Sequence, residues 1–429
     1  MTFRRLRTRL VGLAAALAVA ACARDTAMDD IARAYVQLVL AVGEHDLDLV
    51  DAYYGPPAWR ETAHADSASL ETLHGRADVL LARLAEVERP DEEYAAMRHD
   101  YLRHQVGAVR ARVATLLGRN FLFDDESRVL YDAVAPHVPA ERFQAVLGRL
   151  SALLPGPGPV AARYEHYRRG FVIPPARVDT VFVRAIAECR ARTRAHLPLP
   201  EGERFSVEYV TGQPWSAYNW YQGDFTSVIQ VNTDLPIHVD RAVDLACHEG
   251  YPGHHVYNAL LEQHLVRERG WVEFSVYPLF SPQSLIAEGS ANYGITIAFP
   301  GSERVAFERD VLFPLAGLDP AEAERYAQVR ALVDELSYAG NEAARRYLDG
   351  EISGDEAQEW LVTYGLMDPP RAAQRLRFID RYRSYVINYN LGQDLVARYV
   401  ERHAGDAAAQ RWQVFGELIG SPRLPSGLE

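Results

Sequence analysis

The chain is 429 residues long, 48% hydrophobic and 24% charged, with a formal net charge of −13; that balance supplies a large globular core and excludes a disordered chain. The acidic surplus argues against a nucleic-acid or anionic-membrane surface, because such partners select basic patches. All 45 basic residues are Arg, so no lysine is present to form a Schiff base or to act as a general base.

At the N-terminus, Arg4, Arg5, Arg7 and Arg9 precede an apolar run from Leu10 to Ala21. The run is too short to cross a bilayer as a helix and has the layout of a secretory signal. It ends Val19-Ala20-Ala21-Cys22, which resembles a bacterial lipobox. That resemblance implies removal of the preceding residues and diacylation of Cys22, whose acyl chains anchor the protein to a membrane. Ala23, rather than Asp, follows the cysteine and points to the outer membrane, so a periplasm-facing lipoprotein is expected. Residues 1–22 are thus read as a signal segment, followed by an N-terminal helical region over 23–200 and a region over 201–429 that carries the candidate site residues, the last two expected to be continuous as one domain.

From Asp29 to Leu197 apolar residues recur at helical spacing, with breaks at Pro56-Pro57, Pro90, the Pro155 to Gly158 stretch and Pro174-Pro175. Between Arg204 and Asp234 the period changes, and "RFSVEYV" and "SVIQVNT" read as strands of a small sheet. A sheet edge beside the following helix offers an extended peptide a place for strand addition. Helices resume beyond Pro236. One opens with Asp319 as N-cap and Pro320 at the first position and closes at Gly350, and Ser353 with Glu356 forms a capping box for the next. The fold class is therefore mainly α, with a small β-sheet next to the helix that carries the histidines. Cys189 and Cys247 are expected as free core thiols.

"CHEGYPGHHV", residues 247–256, places three histidines and a glutamate where a zinc protease has H-E-x-x-H, but Pro252 stands at the second histidine's position. Catalytic zinc usually takes three His or Asp/Glu ligands and keeps a fourth position for water, whose proton a neighbouring glutamate removes. His248-Glu249 supplies a first ligand and a general base. At ~100° per residue, His255 would lie about 20° from His248 on a regular helix and His254 about 120° away. Gly250, Pro252 and Gly253 disfavour a regular helix, and a bulge there would swing His254 inward instead. The residues alone leave both open. Glu288, in the apolar segment "SLIAEGSANYG", is the candidate third ligand, because a buried carboxylate needs a partner or a metal.

"HEGYPGHHV" followed by "EGSANYG" resembles the bacterial family known as domain of unknown function 885, with the pattern H-E-x-x-P-G-H-H and then E-G-x-A-x-Y. "VIQVNT" and "DRYRSYVINYNLG" match in place and order, so the resemblance covers roughly residues 30–405. The family is similar to helical gluzincin metallopeptidases of the carboxypeptidase Taq and angiotensin-converting type, in which H-E-x-G-H-A-L-Y-E carries the metal. Aligning that G-H with Gly253-His254 implies His254 as the second Zn2+ ligand. The C-terminal motif departs from the family: Tyr389 and Gly392 are kept, but P-G-Q is missing and Asn390 replaces a lysine.

The resulting expectation is a zinc peptidase acting on short peptides. His248, His254 and Glu288 hold the metal, Glu249 is the base, and Tyr389 is the donor to the developing oxyanion. His255, Asn232 and Arg383 are assigned to substrate binding. A lipoprotein that binds metal without catalysis and a zinc amidase acting on cell-wall fragments are the competing expectations.

Overall fold

In the computed structural model, residues 26–429 are described, apart from Pro214 and Asp406; the signal segment and Cys22 lie outside the described residues. The chain is 68% helix and 7% strand, the mainly α fold that the periodicity predicts. Helix α1 spans 26–43, and the short strand β1 (Val50–Tyr53) follows. Helix α2 (Leu70–Glu86) starts where the Ser69 side chain accepts the Thr72 N–H, and buries Leu73, Ala77, Leu80 and Leu84 as one stripe. It lies against α3 (Glu93–Leu116), with the break at Pro90 forming the connection. Helices α4 (Phe123–Tyr131) and α5 (Val178–Arg194) complete what positions the site from this half.

Strands β2 (Arg204–Val210), β3 (Ala217–Gly223) and β4 (Thr226–Asn232) form a sheet in the order β2-β4-β3. β2 runs parallel to β4, and β3 antiparallel to it. Alternation buries Ser227, Ile229 and Val231 on one face of β4, and Asn219 and Tyr221 on the same side of β3. Then come α6 (Val239–Leu245), α7 (His254–Leu261), strand β5 (Val276–Pro278) and α8 (Pro282–Ala298). β5 pairs antiparallel with β1, stitching the N-terminal region to the middle of the chain. Near the C-terminus, α9 (Pro369–Tyr382) and α10 (Ile387–Ala404) precede α11 (Ala408–Ile419). One apolar core takes in residues from Met28 to Leu428, and a satellite gathers Phe143, Leu150, Val329 and Leu336.

Four features differ from the sequence reading. β1 and β5 lie in regions read as helical; each is too short to show a period and depends on its distant partner. β3 was missed because "AYNWYQG" buries an asparagine where the alternation expects an apolar residue. The helix read from 319 to 350 is broken after Asp334 and restarts at Ala339, although Asp319 does accept the Ala321 N–H. The capping box of Ser353 and Glu356 is present in both directions. Cys189 and Cys247 are free, buried neighbours.

Candidate metal centre

Helix α6 runs into a wide turn at Ala246–Gly250. There the Tyr251 N–H donates to the Ala246 carbonyl at 3.1 Å and the Gly253 N–H to the Cys247 carbonyl at 2.9 Å. A Cβ on Gly253 would sit 1.8 Å from the His248 carbonyl oxygen, so the position takes glycine alone. The helix restarts at His254, and this offset turns the His254 ring onto His248, with their Nε2 atoms 3.2 Å apart. The distortion expected from Gly250, Pro252 and Gly253 therefore brings His254, not His255, to the cluster.

Glu288 arrives from α8. At the crossing of α8 and α10 a Cβ on Gly289 would lie 2.3 Å from the Gly392 carbonyl carbon, so paired glycines set the approach of the two backbones. Glu288 Oε2 lies 3.2 Å from His248 Nε2 and 3.7 Å from His254 Nε2. One ligand atom from each of the three residues falls within 4.8 Å of the others. Tyr385 donates its hydroxyl to Glu288 Oε1 at 2.8 Å, whereas Oε2 is buried without a hydrogen-bond partner. Asn292 donates its amide to the Tyr389 carbonyl, leaving its oxygen to accept from His248 Nδ1 at 2.9 Å. That bond places the proton on Nδ1 and aims the Nε2 lone pair into the cluster.

Burial pushes the His248 pKa down, but Glu288 and Glu249 outweigh it and hold it at about 9, so a cation must displace the Nε2 proton to take that lone pair. Burial likewise opposes ionisation of Glu288, and the adjacent His248 and His254 imidazoles overcome it and hold its carboxyl well below the usual range. An orphaned carboxylate oxygen facing two imidazole nitrogens, with one tautomer fixed from behind, fits a divalent zinc-type cation.

Glu249 follows His248 and is buried; its carbonyl accepts from the Asn219 side chain at 2.7 Å, and its carboxylate has no hydrogen-bond partner among the described residues. The Tyr389 phenol, half-buried beside Tyr385 with ring centroids 5.8 Å apart, is raised well above its ordinary range by burial and by Glu288 and Glu249, with Arg375 opposing. Asp51, from β1, is raised by burial and by the same two glutamates, and it accepts the Tyr218 hydroxyl. The centre thus gathers Glu249, Glu288, Asp51 and Tyr389 around the histidine pair.

The three residues assigned to substrate are held elsewhere. His255 is 0% exposed; its Nε2 lies 3.2 Å from Glu203 and its Nδ1 2.9 Å from the Ser227 hydroxyl. Burial would raise Glu203, but His255, Tyr251 and Arg190 hold it at about 2, so His255 belongs to a structural network behind the metal helix. Asn232 spends its amide on the carbonyls of Gln213 and Trp215 and shapes a loop. Arg383 adopts φ 51° and bonds Glu126, which also takes the Ser384 N–H and hydroxyl. This left-handed residue separates α9 from α10, and its charge is spent on Glu126. Sequence reasoning missed Asp51, Asn219 and Asn292. Only Asn292 carried a signal, one helical turn beyond Glu288.

No family model matches the chain, and no curated protein does. Among solved structures, the chain is similar to a "putative lipoprotein" from Colwellia psychrerythraea, at 15% identity and a TM-score of 0.50, over 82% of this chain and 67% of that one. It is also similar to a "putative lipoprotein of unknown function" from Shewanella oneidensis, at 14% identity and a TM-score of 0.41, over 84% and 76%. At such identities the first likeness is one of fold.

Proposed function

We propose that this protein is a zinc-dependent peptidase carried as a lipoprotein on the periplasmic side of a bacterial membrane. The observation that carries the reading is Glu288 Oε2, buried without a hydrogen-bond partner and set 3.2 and 3.7 Å from the two imidazole Nε2 atoms. Zinc held by His248, His254 and Glu288 would supply Lewis acidity at the scissile carbonyl and a nucleophile at neutral pH. Glu249, its carboxylate unengaged, accepts the proton of the attacking water and delivers it to the leaving amine. Tyr389 donates to the carbonyl oxygen as charge builds there, without adding a positive charge beside the metal.

The lipobox at Cys22 supports anchoring, and so does the lipoprotein description of the Colwellia structure; among the described residues no helix is long and apolar enough to cross a membrane. The decisive experiment combines metal analysis of the purified protein with a peptide-library digest read by mass spectrometry, alongside Glu249→Gln. One equivalent of zinc, cleavage by the wild type and none by the variant are expected. Zinc without cleavage of any peptide would leave a metal-binding lipoprotein, and cleavage confined to non-peptide amides would make it an amidase.

A further inference from the structure

Most deep arginines in this fold are paired with carboxylates; Arg163, which is not, donates to the Ser151 and Leu154 carbonyls and the Ser151 hydroxyl. Arg98 meets Glu273 at 2.5 Å, Arg112 meets Asp46 at 2.7 Å, Arg304 meets Asp244 at 2.7 Å, Arg330 meets Glu308 at 3.2 Å, and Arg345 meets Glu342 and Asp124. The rule follows from desolvation, since a guanidinium taken from water without a carboxylate is costly.

Arg375, on α9, breaks that rule. Among the described residues no carboxylate pairs with it, and its Nε is buried without a hydrogen-bond partner. Its guanidinium carbon lies 4.8 Å from the Phe378 ring centroid and 6.0 Å from that of Tyr389. Burial lowers its pKa, and the Tyr389 phenol alone opposes that. The Tyr389 ring packs 5.8 Å from that of Tyr385, whose hydroxyl bonds Glu288, so two phenols link Arg375 to the His248–Glu288 cluster. Among the described residues, none of the carboxylates gathered there, Asp51, Glu249 and Glu288, pairs with Arg375. Arg375 is therefore an unneutralised cation at the edge of an acidic centre, and an anion arriving there would gain a partner that the protein withholds.

Resting on the peptidase reading of the metal centre, we propose that Arg375 receives a carboxylate of the substrate, fixing the distance from that carboxylate to the bond that is cut. A guanidinium matches a carboxylate by paired N–H donors, and charge-assisted bonds of this kind are among the strongest available to a side chain. The Phe378 and Tyr389 rings flank the fork. The substrate class is then a short peptide with a free C-terminal carboxylate or an acidic side chain, and a peptide lacking both is a poor ligand.

The test is a binding measurement on zinc-loaded Glu249→Gln protein, so that it does not depend on turnover. Calorimetric titrations compare acetyl-Ala-Ala-Phe as free acid, the same peptide as its C-terminal amide, and acetyl-Ala-Glu-Ala amide. The free acid should bind about 10- to 100-fold more tightly than its amide, and Arg375→Gln should abolish the difference while zinc content and melting temperature hold or rise. Arg375→Lys, as the conservative control, should keep part of it. Preference for the Glu-containing amide over the free acid would assign the site to an acidic side chain and keep the proposal. Equal affinity for acid and amide, or an acid preference that survives Arg375→Gln, would overturn it. A wild type that cleaves no peptide but still selects the free acid through Arg375 would refute the peptidase reading and leave the carboxylate site standing.

Discussion

The side-chain amide of Asn219 lies 2.7 Å from the carbonyl oxygen of Glu249, so the small sheet is bonded directly to the wide turn that bears His248, the proposed first metal ligand. Asn219→Leu leaves that buried carbonyl without this donor, which costs about 1–3 kcal/mol. A melting temperature lower by several degrees and zinc affinity weaker by about 10-fold are expected, measured by calorimetry and competitive chelator titration. Unchanged affinity would mean that the turn holds its shape without the sheet.

His254→Ala and His255→Ala should separate cleanly. The first removes an imidazole whose Nε2 faces His248 and Glu288, so bound zinc should be lost with little change in the fold. His255→Ala breaks a bond to the buried Glu203 and opens a cavity under the sheet, so zinc should remain while stability falls by about 2–4 kcal/mol. Zinc loss in His255→Ala at full stability would reverse the ligand assignment.

Tyr389→Phe should lower kcat by about 100- to 1,000-fold, the usual effect of losing one oxyanion donor. Zinc content and melting temperature should hold, because no side chain among those described hydrogen-bonds the phenol. Tyr385→Phe should behave differently. Its hydroxyl bonds Glu288, so the expected effect falls on zinc affinity, by about 10-fold or more. A kcat loss confined to Tyr385→Phe would move the donor role there.

His238, just before α6, has its pKa pushed down to about 4 by burial and by Arg168, with Arg371 and Arg241 adding and Asp240 opposing. The Arg168 guanidinium lies 3.1 Å from its Nε2. The unfolded chain protonates this histidine below about pH 6.5, whereas the fold holds it neutral. The associated stability is therefore complete above pH ~6.5 and is lost as pH falls towards 4. The contribution of this buried side chain is at most about 3 kcal/mol. Chelator-treated His238→Gln should show a flatter melting-temperature profile than wild type between pH 7 and 4.5; parallel profiles would remove His238 as the cause.

What could be read in the sequence was local or periodic. His248, Glu249, His254 and Glu288 stand out because ligands on neighbouring turns need fixed spacing, and Gly253 announces the broken helix by residue type. The same local signals misplaced Arg383, since nothing near it in sequence foretells that Glu126, on α4, will bind its charge and hold it at positive φ. Asp51, Asn219 and Arg375 were equally hidden. Each is an ordinary residue in its own segment and acquires chemistry only from a strand pairing or a helix crossing made with distant residues.

The pairing of β1 with β5, and the crossing of Gly289 with Gly392, also govern when the centre can exist. The first requires residues near 50 and 278, and the second the chain as far as α10. A ribosome-bound chain that stops at the end of α9 lacks Tyr385, the donor to Glu288, and has a seam of α8 left uncovered. A polypeptide exported in an unfolded state would accordingly be inert until folding is nearly finished, and a fragment ending before α10 should be a poor source of even residual metal binding.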